Sequence, residues 1–418
     1  MKLKVAKVDR VMVNVPFRDR VRPWNELLVG QFGVVEIVRV ESTTGHVGYG
    51  ETLIHYTWQT VSEQAVVRTV GADAVGLLAD DSLGAGLQMA LYDLVGHALE
   101  VPMWKLLGQP MVRDRVPISW WNTKMPAKLL AAEAEDALRE GYRAHKIKAR
   151  PWFDVREQVA AIAAVTPESY AIDIDWNGML RTPGEAVPVL RELDREPRTG
   201  LYESPVKQTD IAGMAEVRSQ VARPVVEHYI ATRFPDWIRA DGVDGFVVCL
   251  AGPPGIIAQG LQCAVFNKEF FLQIVGTGLT TAYTIHLGAV LTHARMPSVT
   301  CLNVYADDLL VHPLAISDGF AEVPTAPGLG IEVDLDAIER YRMDAPYLNV
   351  FPRKLLTVQF GDGRRRCYSD IHQLWRDCRE AGALPVQDRG ATLDLETDDG
   401  SGDFDTRYRA AQTWPYWL

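Results

Sequence analysis

The stretch GYRAHKIKAR, residues 141–150, places Lys146 and Lys148 at alternate positions in what reads as a strand just after a helix. Alternate strand residues share a face, so the two ammonium groups point the same way. Each disfavours the other's charge, and a lysine held below its usual pKa can serve as a base. Acids recur at matching points further along. Asp173 and Asp175 stand in AIDIDWN, followed by Asn177; Glu203 stands in LYESP; Glu227 stands in VVEHY, followed by His228. Any one of them could cap a helix or balance a surface charge. In order they read as a basic pair, then acid, acid, acid, and three converging carboxylates repel one another unless a cation sits among them. A hard divalent ion with oxygen ligands, Mg2+ above all, meets that need.

The elements that must carry these residues are legible in the rhythm of the chain. Residues 1–60 show strand alternation with turn punctuation, and 61–108 read as helices. From about Val116 strands and amphipathic helices alternate: VPISWW then AKLLAAEAEDALREG, YRAHKIKA then VREQVAAIAAV, and so on to SVTCLNVY. About eight such units predict a (β/α)8 TIM barrel, whose active site lies at the C-terminal ends of its strands. The fold class is therefore α/β: an α+β capping domain over 1–115, a barrel over 116–325, and a return to the cap plus a polar tail over 326–418. Within that tail DLETDDGSGDFD reads as loop or disorder.

Composition narrows the function. The 418 residues are 47% hydrophobic, enough for a large core and more than one domain. A net charge of -11 argues against a nucleic-acid partner. The five cysteines (Cys249, Cys263, Cys301, Cys367, Cys378) show no metal or redox spacing, which suits a reduced, cytoplasmic setting. Neither a signal-peptide pattern nor an apolar run long enough to span a bilayer is expected.

With these motifs in hand the chain resembles the enolase superfamily, and within it the mandelate racemase / muconate lactonizing enzyme-like subgroup, over about residues 1–350. VGYGE resembles the cap hairpin, KIK, DWNG, YESP and VVEHY the barrel-strand signatures, and PGLGIEVD the return strand. The resemblance implies an enolase-like modified barrel, with Asp175, Glu203 and Glu227 as Mg2+ ligands. Asp175 is preferred over Asp173 because DWNG matches the family's turn. It also implies Lys148 as the base that removes a proton α to a carboxylate, Lys146 as its tuning partner, and an enediolate stabilised by Mg2+.

The chain departs from the subgroup's pattern at the second base. Counting back from PPGI puts Cys249 at the strand-six position, where the subgroup has Asp and the lactonizing branch Lys. Counting back from IHLGA puts Gly278 near the strand-seven His position, and no His occurs from Phe270 to Tyr283. One-base chemistry is what remains, and β-elimination of water from a sugar acid fits it. The leaving group would take its proton from Lys146, His228, or the cap residues His55 or Tyr56. Asn177 is expected to touch substrate, as are Arg18 and Arg20 in FRDRVRPW, the loop that covers the site in this family. The alternatives are a racemase or epimerase of the same superfamily, a metal-binding barrel that has lost turnover, or an unrelated Schiff-base aldolase barrel. The expected partner is a small-molecule carboxylate, with no nucleic acid and no membrane, and the chain is expected to form a homo-oligomer.

Overall fold

The N-terminal alternation becomes a three-stranded antiparallel sheet of β1 (Val5–Asn14), β2 (Val34–Ser42) and β3 (Val47–Leu53). The structure is a computed structural model and describes residues 3–56 and 61–418. Helix Ala85–Leu99 packs on this sheet through Leu87, Leu91 and Leu94 against Val38 and Val40. The close approach requires Gly50, where a Cβ would stand 2.1 Å from the Gly86 carbonyl oxygen. Glu51, beside it and buried, ties the cap to the barrel. Its carboxylate accepts from the Thr277 N–H (2.7 Å), the Thr280 N–H (2.9 Å) and the Thr277 hydroxyl (2.5 Å), capping helix Gly278–Val290.

The barrel strands are β4 (Arg115–Asn122), β5 (Ala144–Lys148), β6 (Ala171–Asp175), β7 (Thr199–Glu203), β8 (Val225–His228), β9 (Gly245–Val248), β10 (Glu269–Leu272) and β11 (Ser298–Val299). From β4 to β10 each pairs in parallel with the next. The two-residue β11 pairs with β4, and Gln273, just past β10, bridges Val299, which closes the circuit. Most strand residues are buried, as parallel strands covered on both faces require. A helix follows each of the first seven strands; after β11 comes only the 3-10 turn Leu302–Val304. The helices bury one stripe each. In Ala127–Arg139 it is Leu130, Ala134 and Ala137; in Val155–Val165, capped by Asp154, it is Val155, Val159 and Ile162. The hairpin β12 (Ile316–Ser317) and β13 (Phe320–Glu322) folds back antiparallel onto β4.

The polar tail is not disordered. It forms β14 (Lys354–Gln359), β15 (Arg365–Tyr368), β16 (Thr392–Thr397) and β17 (Tyr416–Trp417), a sheet in the order β16-β14-β15-β17, with helices Ile371–Arg379 and Gly402–Thr413. The central strand β14 buries both faces, Leu355 with Cys367, Phe404 and Ala411 on one and Leu356 and Val358 in the main core on the other, while the edge strand β16 carries much of the charge. In β16 Leu393 is buried while Asp394 and Glu396 face out, so low hydrophobicity does not prevent folding. The unit docks on the barrel and the cap. The Gly390 N–H donates to Asp154 (3.0 Å), the Asp154 N–H donates to the Ala391 carbonyl (2.9 Å), and Lys354 pairs with Glu26. Among the described residues no helix is long and apolar enough to cross a membrane, and all five cysteines are free and buried.

Candidate active site

At the C-terminal ends of the strands lies a layer of buried charge. The β5 alternation aims Lys146 and Lys148 at the acids of β6 and β7. The Lys146 ammonium stands 2.5 Å from Glu203 and 3.6 Å from Asp175, and it donates to the Gln273 side chain at 2.6 Å. Lys148 pairs with Asp175. Asp175 also accepts from the Asn177 N–H at 2.9 Å, the turn that DWNG encodes. On β8, Glu227 accepts from the Ser204 hydroxyl (2.9 Å), the Gln208 amide (2.9 Å) and the His228 N–H (2.6 Å). His228 sits between Glu203 (3.3 Å) and the Cys249 thiol (3.7 Å), which lies just past β9.

The electrostatics follow from this packing. Burial lowers the Lys148 pKa, and Lys146 and Arg150 push the same way against the pull of Asp175. Lys146 goes the other way: burial opposes its charge, but Glu203 and Asp175 together raise it. Asp175 would be raised by burial, yet Lys148, Lys146 and Arg150 hold it far below the carboxylate range. Burial lifts Glu227 to about 7 and Asp173 to about 7. His228 reaches about 10, since its hydrogen bonds to Cys249 and Glu203 outweigh burial, and it is an imidazolium at neutral pH.

Among the described residues no group of three or more His, Cys, Asp or Glu side chains is arranged to hold a metal ion. Lys146 lies against Glu203 and Asp175 instead. The donor set nonetheless fits a hard cation. Asp175, Glu203 and Glu227 are carboxylates on successive strand ends, each at most 1% exposed. Glu227 Oε2 is buried without a hydrogen-bond donor, and Glu203 Oε1 faces His228 at 3.3 Å.

Above this layer opens a cavity of about 430 Å³. Lys148 and Asn177 line it, as does Tyr56, whose ring lies 4.5 Å from that of Phe32. Three residues expected here stand elsewhere. Arg18 pairs with Glu140 (2.6 Å), just past helix Ala127–Arg139, and Arg20 with Glu133 and Asp136 (2.9 and 2.5 Å) on that helix. His55 is exposed and bonds to the Tyr347 carbonyl at 2.5 Å. A run of arginines shows cations but not which acids they will meet. Gly278 also departs from its expected position: it opens a helix five residues beyond Gln273 and packs on Leu310, so the wall facing Lys146 is Gln273 and Val275.

Other lining residues were not singled out from the sequence. Arg150 continues the alternation of Lys146 and Lys148, a signal present in KIKAR itself; it bonds Asn177 at 2.5 Å and the Asp175 carbonyl at 3.1 Å. Lys124 follows β4, Gln208 follows β7, and Cys301 follows β11. His372, Trp375 and Arg379 come from the C-terminal unit, and helical spacing alone could not have assigned them to this site.

Fold and site are those of a barrel enzyme that works at its strand ends, and the comparisons agree. The family model described as "Enolase C-terminal domain-like" matches residues 129–337, half of the chain, and this chain belongs to the enolase superfamily, in its mandelate racemase / muconate lactonizing enzyme-like subgroup. It is 26% identical to "Muconate cycloisomerase 1-1" of Acinetobacter lwoffii, over 81% of this chain and 97% of that one. It is 23% identical to "Arabinonate dehydratase" of Saccharolobus solfataricus, over 74% and 91%. A solved enolase from Thermobispora bispora, complexed with magnesium and formate, superposes with a TM-score of 0.64 at 22% identity, covering 81% of this chain and 92% of its own. Such relatives are enzymes, dehydratases and cycloisomerases among them.

Proposed function

We propose that this chain is a Mg2+-dependent acid-sugar dehydratase. The observation that carries the reading is the asymmetry of the cavity. One wall holds Lys148 paired with Asp175, and the facing wall holds Gln273, Val275 and Cys301, none of them a His or Lys. A racemase working through two bases needs a second one there, and a lactonizing enzyme a lysine where Cys249 stands.

Asp175, Glu203 and Glu227 would hold Mg2+, and the Glu227 oxygen without a donor is one the ion would satisfy. Bound there, Mg2+ would draw charge from the substrate carboxylate and make its α-proton easier to remove. Lys148 takes that proton at Nζ, its lowered pKa leaving more of it neutral. Lys146 and Arg150 hold that pKa down. The electron pair of the broken C–H bond forms the C=C bond as the C–O bond at the next carbon breaks. The departing hydroxide takes a proton from the His228 imidazolium and leaves as water, so the substrate loses one water. Asn177, held by Arg150, positions Lys148.

A screen of sugar acids with Mg2+ tests this. The expected product is a 2-keto-3-deoxy acid. Inversion or α-proton exchange without keto-acid formation would overturn the dehydratase assignment.

A further inference from the structure

The cavity's outer end is built from cations without counter-ions. Lys124, Arg150, His372 and Arg379 line it together with Trp375, and no carboxylate lies among the described lining residues. Lys124 is 2% exposed, and its Nζ has neither an ion pair nor a hydrogen bond among the described residues. Burial, with Arg150 and Lys148 beside it, lowers its pKa well below the usual lysine value, and an anion bound there would restore its charge. Arg150 is 2% exposed; its guanidinium lies 5.0 Å from the Trp375 ring, and its Nε is buried with no acceptor. Arg379 lies 6.0 Å from the Trp375 ring and has no carboxylate partner among the described residues.

Helix Ile371–Arg379 brings these groups in. It buries Ile371, Leu374 and Cys378 against its own sheet and turns His372, Trp375 and Arg379, spaced i, i+3, i+7, toward the cavity. The family model ends at residue 337, so this wall comes from outside the matched region.

We propose that the C-terminal unit completes a second anion subsite, with Lys124 and Arg379 binding an acidic group at the far end of the substrate from the carboxylate whose α-proton is lost. The substrate class is then an acid charged at both ends, a dicarboxylate or an ω-phosphorylated acid. The inference rests on the reading above, which puts the reacting carboxylate at the Lys148 layer, and its test is chosen to fail separately.

Adipate, hexanoate and phosphonohexanoate share one carboxylate and a carbon chain, differ at the far end, and carry no leaving group. Calorimetry on the full chain with Mg2+ should show adipate or the phosphonate binding about tenfold or more tightly than hexanoate. Which of the two leads distinguishes a carboxylate from a phosphate. Lys124→Met and Arg379→Met should each remove that advantage while leaving hexanoate within about twofold. Should Lys124→Met fail to fold, Arg379→Met on the half-exposed helix still decides. Equal binding of the three acids, no binding of either two-ended acid, or a parallel loss for all three in the variants overturns the subsite. A chain that discriminates far ends but dehydrates no sugar acid refutes the reaction and leaves the subsite. One that dehydrates sugar acids without discrimination does the reverse.

Discussion

The two ends of the cavity differ in how their charges are balanced. At the inner end every cation faces an anion: Lys146 on Glu203, Lys148 on Asp175, His228 on Glu203. At the outer end Lys124 and Arg379 face none, and Arg150 leans on a tryptophan ring and carbonyl oxygens. The inner layer is built from neighbouring barrel strands, where the register that pairs Lys148 with Asp175, and Asp175 with Glu203, sets the charges against one another. The outer wall is assembled from a loop after β4, a residue after β5 and a helix more than two hundred residues away. Charges that balance each other persist without a ligand. Charges that do not are a standing cost, and a ligand's own charge is what removes it.

That contrast assigns chemistry to the inner end and selection to the outer end, and four measurements can break or sharpen it. The largest effect is expected from Lys148→Met. Turnover and α-proton exchange in D2O, followed by NMR on a substrate from the screen, should fall by about 10²–10⁴-fold or more. Exchange near the wild-type rate would move the base elsewhere. Next is Glu203→Gln, which should weaken Mg2+ binding by roughly tenfold or more in calorimetry; unchanged affinity would remove Glu203 from the ligand set. At the outer end, Trp375→Ala should raise KM by up to about tenfold with a smaller change in kcat, because it takes away the ring under Arg150 but nothing from the inner layer. A fall in kcat equal to that of an inner-layer variant would erase the division of labour. Smallest of all is Arg20→Ala. Its partners Glu133 and Asp136 lie off the cavity, so kcat/KM should hold within about twofold. A large loss of kcat/KM would return the loop at 17–22 to the substrate.

The inner layer was readable before any coordinates because its determinants are local. Period-two spacing orients Lys146, Lys148 and Arg150 together, and DWNG, YESP and VVEHY place acids at strand ends whose order round the barrel follows chain order. The strand-seven position was misjudged because the offset from a helix motif assumes a loop length. Here β10 stops at Leu272 and the helix opens only at Gly278, so the facing residue is Gln273.

The tail was misjudged for a different reason. Its polar composition measures how much is buried, whereas a small sheet needs few buried residues: Leu355, Cys367, Phe404 and Ala411 cluster on one face, and Leu356, Val358 and Leu393 join the main core on the other. By itself, then, the sequence determined the barrel, the antiparallel cap and the side chains at the strand ends, since each depends on spacing along a few residues. Only the tertiary structure decided that Arg18 and Arg20 meet acids on a barrel helix, that Glu51 of the cap holds the helix at Gly278, and that Trp375 closes over Arg150. Those pairings join segments far apart in the chain. Periodicity states which face a residue occupies, and the packing of whole units states what that face will meet.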